Sequence, residues 1–249
     1  MLKWYRADLH IHTCLSPCGD LTMSPKRVIE QAMSKEIDIV GICDHNSAEN
    51  VRAAQRFAAN KSITVLAGME IMSAEEVHIV ALFDRVDDVL KLQDNVYCNL
   101  MPGENKPEIF GEQIIANELD EVVGYNKRLL LGATTLGVKD WVLSIHSLNG
   151  LAIASHVDRE SFSIIGQLGF IPDDLMVDAL EISSNISCQD ALKKFPQIKN
   201  YNLVATSDAH FLQDIGKKTT AFYLAEPTVA EIKKAFLAKE DRKLSMGKR

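Results

Sequence analysis

Short apolar runs alternate along the chain with segments whose apolar residues recur at helical spacing. Ser24-Pro25 supplies an N-cap and a first-turn proline, which open a helix to about Lys35. Ile37-Asp38-Ile39-Val40-Gly41-Ile42-Cys43 then reads as a buried strand that delivers Asp44 and His45 at its C-terminal end. A second helix, about Ala48 to Ala59, leads to the strand Ile63-Thr64-Val65-Leu66-Ala67 and on to Glu70. Val77 to Phe83 forms the next strand, and only seven residues separate Glu70 from His78. A parallel crossover needs about a dozen residues, so these two strands are expected to pair antiparallel, which puts His78 beside Glu70 at one edge of the sheet.

Residues 96–135 break this rhythm. Glu112 to Asn117 and Glu121 to Tyr125, separated by Glu118-Leu119-Asp120, predict a small β-hairpin insertion. The α/β alternation then resumes. A helix from Val138 to Leu148 carries Val138, Trp141, Val142, Ile145 and Leu148 on one face, and Asn149-Gly150 stops it. Leu151 to Ala154, Ala179 to Ile182 and Leu203 to Thr206 are further strands, and Pro227-Thr228 with Glu231 forms a capping box for a last helix to about Lys239. No internal repeat or low-complexity linker divides the chain, so residues 1–249 are read as a single α/β domain.

Composition narrows the function. Apolar residues make up 47% and charged residues 24%, ordinary for a water-soluble globular chain. The formal charge is −7 with no basic tract, which disfavours nucleic acid beyond short oligonucleotides. Neither an export signal nor an apolar stretch near the ~20 residues of a membrane span is present, so no membrane association and a cytoplasmic location are expected. The five cysteines form no regular framework and read as reduced thiols; Cys14 and Cys18 sit near a histidine pair but lack the repeated pair of a thiolate metal site.

The informative chemistry lies in the histidines. Six of the seven stand at ends of apolar runs, beside carboxylates: Asp8-Leu9-His10-Ile11-His12, Cys43-Asp44-His45-Asn46, Glu76-Val77-His78, Ser155-His156 and Ser207-Asp208-Ala209-His210. Imidazole and carboxylate are the usual ligands of Zn, Mn and Fe. His10 and His12, two apart on a strand, face the same way, and Asp208 and His210 repeat the spacing. In barrels and open parallel sheets alike, chemistry collects at the carboxyl ends of the strands. His146, inside the Val138–Leu148 helix, is given no metal role. Asp8, Asp44 and Asp158 are candidates either to orient imidazoles or to bond backbone amides.

These motifs, with Gly68-Met69-Glu70-Ile71, resemble in order those of the PHP (polymerase and histidinol phosphatase) family from about residue 7 to 225. The resemblance implies a distorted (β/α)7 TIM-like barrel holding two or three divalent metal ions, Zn, Mn or Fe. By position, His10, His12, Glu70 and Asp208 would hold the first ion. Glu70 would bridge to a second held by His78 and His156, and Asp20, His45 and His210 would hold a third. Glu70, His156 and Asp208 are the expected catalytic residues. Bridged metals bring the pKa of a bound water to roughly 7, which suits hydrolysis of a phosphate ester, and such a cationic pocket suits a small anionic phosphorylated substrate. Arg159 is a candidate phosphate contact, while Lys26 and Arg27 read as a solvated face.

The leading expectation is therefore a metal-dependent phosphoesterase acting on a nucleotide or sugar phosphate. A nuclease trimming short 5′-phosphorylated oligonucleotides is the runner-up, and a non-catalytic metal-loaded binding or sensing domain is the alternative from another class. The insertion suits a partner surface or a substrate-selecting lid, and no feature identifies a protein partner. An amidohydrolase reaction is the third option, but the strands that end in site residues show no metal-bridging lysine.

Overall fold

A computed structural model of the chain describes residues 1–246; residues 247–249 of the expected domain lie outside the described residues. The chain opens with strand β1 (Lys3–Ile11) and helix α1 (Pro25–Ser34), whose N-cap Ser24 accepts from the Arg27 amide with Pro25 in the first turn. Strand β2 (Ile39–Ile42), helix α2 (Val51–Ala58) and strand β3 (Thr64–Met72) follow. Strand β4 (His78–Phe83) returns antiparallel to β3 with Met72 opposite His78, as the short connection predicts. Helix α3 (Val86–Asn99) leads to the insertion, which holds α4 (Pro107–Phe110) and the hairpin β5 (Ile114–Ala116) and β6 (Val122–Tyr125). The irregular stretch thus starts after residue 99 rather than at 96, because Val89, Leu92, Gln93 and Val96 form a buried helical stripe that carries α3 onward.

The rest of the chain comprises α5 (Val138–Ser147), β7 (Leu151–Ala154), α6 (Ile164–Leu168), β8 (Ala179–Ile182), α7 (Cys188–Lys194), β9 (Leu203–Ala205), β10 (Thr220–Leu224), α8 (Val229–Phe236) and β11 (Lys243–Ser245). At α8 the capping box is half made. Thr228 accepts from the Glu231 amide, but the Glu231 carboxylate takes the Ala225 amide and Arg242 instead of reaching back to the cap. No helix among the described residues is long and apolar enough to cross a membrane.

Nine strands form one sheet in the order β11-β10-β1-β2-β3-β4-β7-β8-β9. Within β1-β2-β3 and β7-β8-β9 neighbours are parallel, and β4 runs against both β3 and β7. The sheet curls, and its two faces build two cores. Inside the curl, Leu9, Ile39, Leu66, Val80, Leu82, Leu151, Ile153 and Val204 pack together, with α8 contributing Val229 and Ile232. Outside it, Val40, Ile42, Val65, Ala67, Ile79 and Ala81 meet α1, α2, α3 and α5. Glycines at neighbouring positions of β2 and β3, Gly41 and Gly68, leave room inside for Leu82, whose Cδ2 lies within 2.9 Å and 2.8 Å of where their Cβ atoms would stand.

The curl closes without a ladder. Between the segment after β9 and β1 there is one isolated parallel bridge, Ile11 with Ala209. Lower down, β10 pairs antiparallel with β1, and its Thr220 hydroxyl bonds both the amide and the carbonyl of Ala205 in β9. The buried Asp8 carboxylate finishes the seam, accepting from the Ser207 and Gly216 amides at 2.9 Å each. Burial pushes this carboxyl up to about 6 despite those bonds. These strands form the distorted TIM-like barrel, while β10 and β11, which have no counterpart in the sequence reading, extend its edge.

Gly41→Ala should destabilise the fold by about 1–3 kcal/mol, since its Cβ would fall 2.2 Å from the Leu9 carbonyl oxygen, which the strand cannot move. Urea unfolding followed by circular dichroism should show a lower midpoint at an unchanged slope.

Candidate metal centre

The barrel rim gathers the histidines. β1 supplies His10 near its end and His12 just beyond it; a register shift between Asp8 and Ile11 turns the strand here. Leu9 packs in the inner core and Ile11 in the outer one, a reversal of parity that a bulge produces and that swings His10 inward above Leu9. His45 follows β2, Glu70 lies in β3, His156 follows β7, and Asp208 and His210 follow β9. His78 opens β4, and because that strand runs backwards its start lies on the same rim. Three of the rim residues, Asn46, His156 and Asp208, hold positive φ angles of 49°, 30° and 48°. Such backbone costs of order 1–3 kcal/mol for a non-glycine residue and persists where its surroundings enforce it.

Glu70 is the hub. Its Oε1 lies 3.4 Å from His10 Nε2, 3.1 Å from His78 Nδ1 and 3.3 Å from His156 Nε2. Its Oε2 lies 3.5 Å from His12 Nε2 and 3.2 Å from His45 Nδ1. Asp208 Oδ1 sits 3.5 Å from His10 Nε2, 3.2 Å from His12 Nε2 and 3.6 Å from His210 Nδ1. Ligands about 2.1 Å from a tetrahedral ion stand roughly 3.4 Å apart, so this spacing is that of atoms arranged around cations.

Two buried partners set which nitrogens carry protons. Glu181, inside β8, accepts from His10 Nδ1 at 2.8 Å. The Ser16 hydroxyl donates to Asp44 at 2.7 Å, which leaves its oxygen to accept from His12 Nδ1 at 2.9 Å and from the His45 amide at 3.1 Å. His10 and His12 therefore turn their Nε2 lone pairs toward each other, 3.0 Å apart. Two lone pairs at that distance repel unless positive charge lies between or beside them. Glu70 Oε1, Asp208 Oδ1, both His78 nitrogens and His156 Nδ1 are likewise buried without a hydrogen-bond partner. This set of imidazole and carboxylate donors fits divalent metal ions.

Electrostatics point the same way. Burial works against the charge on Glu70, but His78 and His10 hold it well below the usual carboxylate range, and His10 and His12 do the same for Asp208. Burial and the neighbouring His210 push His12 down to about 3. Burial would also strip His10, but Glu181, Glu70 and Asp208 outweigh it and hold its proton well above the ordinary range. The cluster thus demands central positive charge, as a proton on His10 or as a metal ion that displaces it.

The structure brings together all six histidines singled out in the sequence, with Glu70 and Asp208. Asp20 is not among them. Its Oδ1 accepts from both the amide and the hydroxyl of Thr22, while its backbone amide donates to the His210 carbonyl at 2.9 Å; the carboxylate is outside the cluster in which His45 and His210 stand with His12. Arg159 reaches the site, with its guanidinium 2.6 Å from Asp208 Oδ2. Asp44 orients His12 through Ser16 and also bonds the Thr13 amide, whereas Asp8 and Asp158 serve backbone amides. His146 lies apart and pairs with Asp178 at 2.9 Å. Cys18 lines the cavity, but no cysteine enters the ligand groups of the described residues. Glu181 is an addition to the residues expected from the sequence, where its one signal is a carboxylate inside the apolar run Ala179–Ile182.

A model of the PHP domain family matches residues 8–172. The chain belongs to this family. It is accordingly a metal-dependent hydrolase. A second model, of the PHP-associated region, matches residues 193–240. The chain is 32% identical over 89 residues to a 5′-3′ exoribonuclease of Haemophilus influenzae, an alignment covering 34% of this chain and 31% of that protein. Among solved structures it is similar to the lesion-specific endonuclease Q of Pyrococcus furiosus, with a TM-score of 0.71 at 17% identity. That match covers 97% of this chain but 58% of the endonuclease, so the PHP chain spans little more than half of it. A protein of Bifidobacterium adolescentis classed as a metal-dependent phosphoesterase matches with a TM-score of 0.55 at 15% identity, over 82% of this chain and 87% of that one.

Glu181→Gln should weaken metal binding by about 10–100-fold while leaving the fold intact, because the amide no longer fixes the His10 tautomer. Titration with Zn or Mn followed by calorimetry measures it. Removing metal with a chelator should lower Tm, and restoring Zn or Mn should raise it again, since the ions bind the folded cluster and not the unfolded chain.

Proposed function

We propose that the protein is a phosphoesterase acting on a small phosphorylated substrate, a nucleotide or a sugar phosphate. The supporting observation is one cavity of about 260 Å³ in which His45, Glu70, His78, His156, Asp208 and His210 share the wall with Arg159. On this reading His10, His12, Glu70 and Asp208 would hold one ion, and Glu70, His78 and His156 a second. His45 and His210 would serve a third beside His12, with Asp20 held away by Thr22. When bound, such ions lower the pKa of a coordinated water into the neutral range and offset charge on a phosphoryl group. Glu70, His156 and Asp208 are then the catalytic residues, linking the positions in one rigid frame. Arg159 sits on Asp208 and is placed to exchange that carboxylate for a phosphate oxygen, since its planar fork binds either.

The cavity lies near the small end of ligand sites, roughly 300–1,000 Å³, and suits one nucleotide-sized group. That size also admits the terminal nucleotide of a chain. A nuclease acting on short 5′-phosphorylated oligonucleotides is the second reading, and the likeness to an exoribonuclease and a lesion-specific endonuclease favours it. The acidic balance counts against long nucleic acids, whereas the endonuclease likeness widens the candidates to larger nucleic-acid substrates, so both belong in the assay.

With Mn, Zn or Fe supplied, p-nitrophenyl phosphate and small phosphate esters should turn over, and faster than short 5′-phosphorylated oligonucleotides or duplex DNA. The reverse ranking would favour the nuclease. His156→Ala should cost more than the ~100-fold typical of losing an outer partner of a metal ligand, with the circular dichroism spectrum unchanged. Turnover of none of these substrates with any of the metals would defeat the phosphoesterase reading, and a cellular role that survives His156→Ala would favour a metal-loaded binding domain.

A further inference from the structure

The loop between β7 and α6 brings two unlike side chains to the same cavity. Arg159 lines it, and three residues later so does Phe162. The Phe162 ring lies parallel to that of His78, with centroids 4.9 Å apart and an angle of 11° between the planes. One face is thus taken, yet the residue stays 39% exposed. Its φ is +60°, a left-handed conformation that a bulky residue rarely adopts. The backbone is held there from both sides. The Phe162 carbonyl accepts from the His78 amide at 2.9 Å, and Ser163 caps α6 while its hydroxyl donates to the Arg159 carbonyl at 2.6 Å. Strain of this kind keeps an apolar ring at a cavity mouth where burial alone would turn it inward. Met72 and Leu131, the latter reaching in from the insertion, line the same cavity. The cavity lining therefore combines ligand atoms and a guanidinium with apolar and aromatic side chains.

We propose that Phe162 is a stacking platform for a flat ring of the substrate, so that the preferred small phosphate ester is a nucleotide and not a sugar phosphate. The inference rests on the phosphoesterase reading and sharpens it. Arg159 and the ligand cluster recognise the phosphate, and the open face of Phe162 receives the base, since every base offers a π-face to an aromatic ring. A residue that merely buttressed His78 would need neither that exposure nor the left-handed backbone at a bulky side chain.

Adenosine 5′-phosphate and ribose 5-phosphate share the phosphate and pentose and differ in the base, so they isolate the effect. With Mn supplied, kcat/KM for the nucleotide should exceed that for the sugar by about five- to a hundredfold, the range expected for stacking one base. Phe162→Ala should bring that ratio towards one, chiefly through KM of the nucleotide, and Phe162→Tyr should restore it. A ratio near one in the natural protein, or a ratio that Phe162→Ala leaves unchanged, overturns the proposal while the phosphoesterase reading stands. If neither ester turns over, that reading falls, and calorimetric binding of the same two compounds decides the platform separately. Tighter binding of the nucleotide that Phe162→Ala abolishes supports it, and equal binding overturns it. The same binding comparison decides the matter if Phe162→Ala loses turnover of both esters.

Discussion

The structure is organised around an electrostatic conflict: two imidazole Nε2 atoms 3.0 Å apart, each with its proton claimed on the outer nitrogen, flanked by two carboxylates, all of them buried. Burying such a group without compensation costs several kcal/mol per charge, so positive charge at its centre is a condition for the native state and not an accessory. The surrounding polar residues keep the conflict in place. Glu181 and the Asp44–Ser16 pair fix the protons of His10 and His12 on the outer nitrogens, which commits the inner ones to a cation. A lone buried histidine relieves itself by rotating or choosing another tautomer. These two cannot.

The fold supplies this geometry through departures from regularity. A bulge in β1 reverses the strand's parity just where it must change from core packing to ligation. The one reversed barrel strand, β4, brings its first residue to a rim otherwise made of strand ends. Left-handed backbone at Asn46, His156 and Asp208 turns the chain sharply at the same rim. Asn46 spends its side chain on the insertion, donating to the Leu130 and Gly132 carbonyls at 2.8 Å, and this helps to set Leu131 over the cavity.

Much of this was legible in the sequence. The strand-end histidines are visible because apolar runs and polar termini alternate, and the antiparallel turn of β4 follows from counting residues between Glu70 and His78. Tertiary pairing was not legible. Whether Asp20 faces the metals depends on a local turn in which Thr22 competes for its oxygen, and nothing in the spacing reveals the winner. The role of Glu181 is hidden because it sits inside an apolar strand without a histidine nearby in sequence; its partner His10 lies 171 residues away. Only its antiparallel pairing with β1 gives β10 meaning. Phe162 carries no periodic signal, since its exposure comes from a backbone angle.

The weak closure of the barrel acquires a role from what flanks it. On one side of the seam stand His10 and His12; on the other, Asp208 and His210. The Ile11–Ala209 bridge, the Asp20 amide on the His210 carbonyl and the side chains of Asp8 and Thr220 join these sides, so ions shared between them would act as a clasp on the cylinder. Opening the seam and releasing metal would then be one event, with metal supply setting how often residues 205–220 open to proteases.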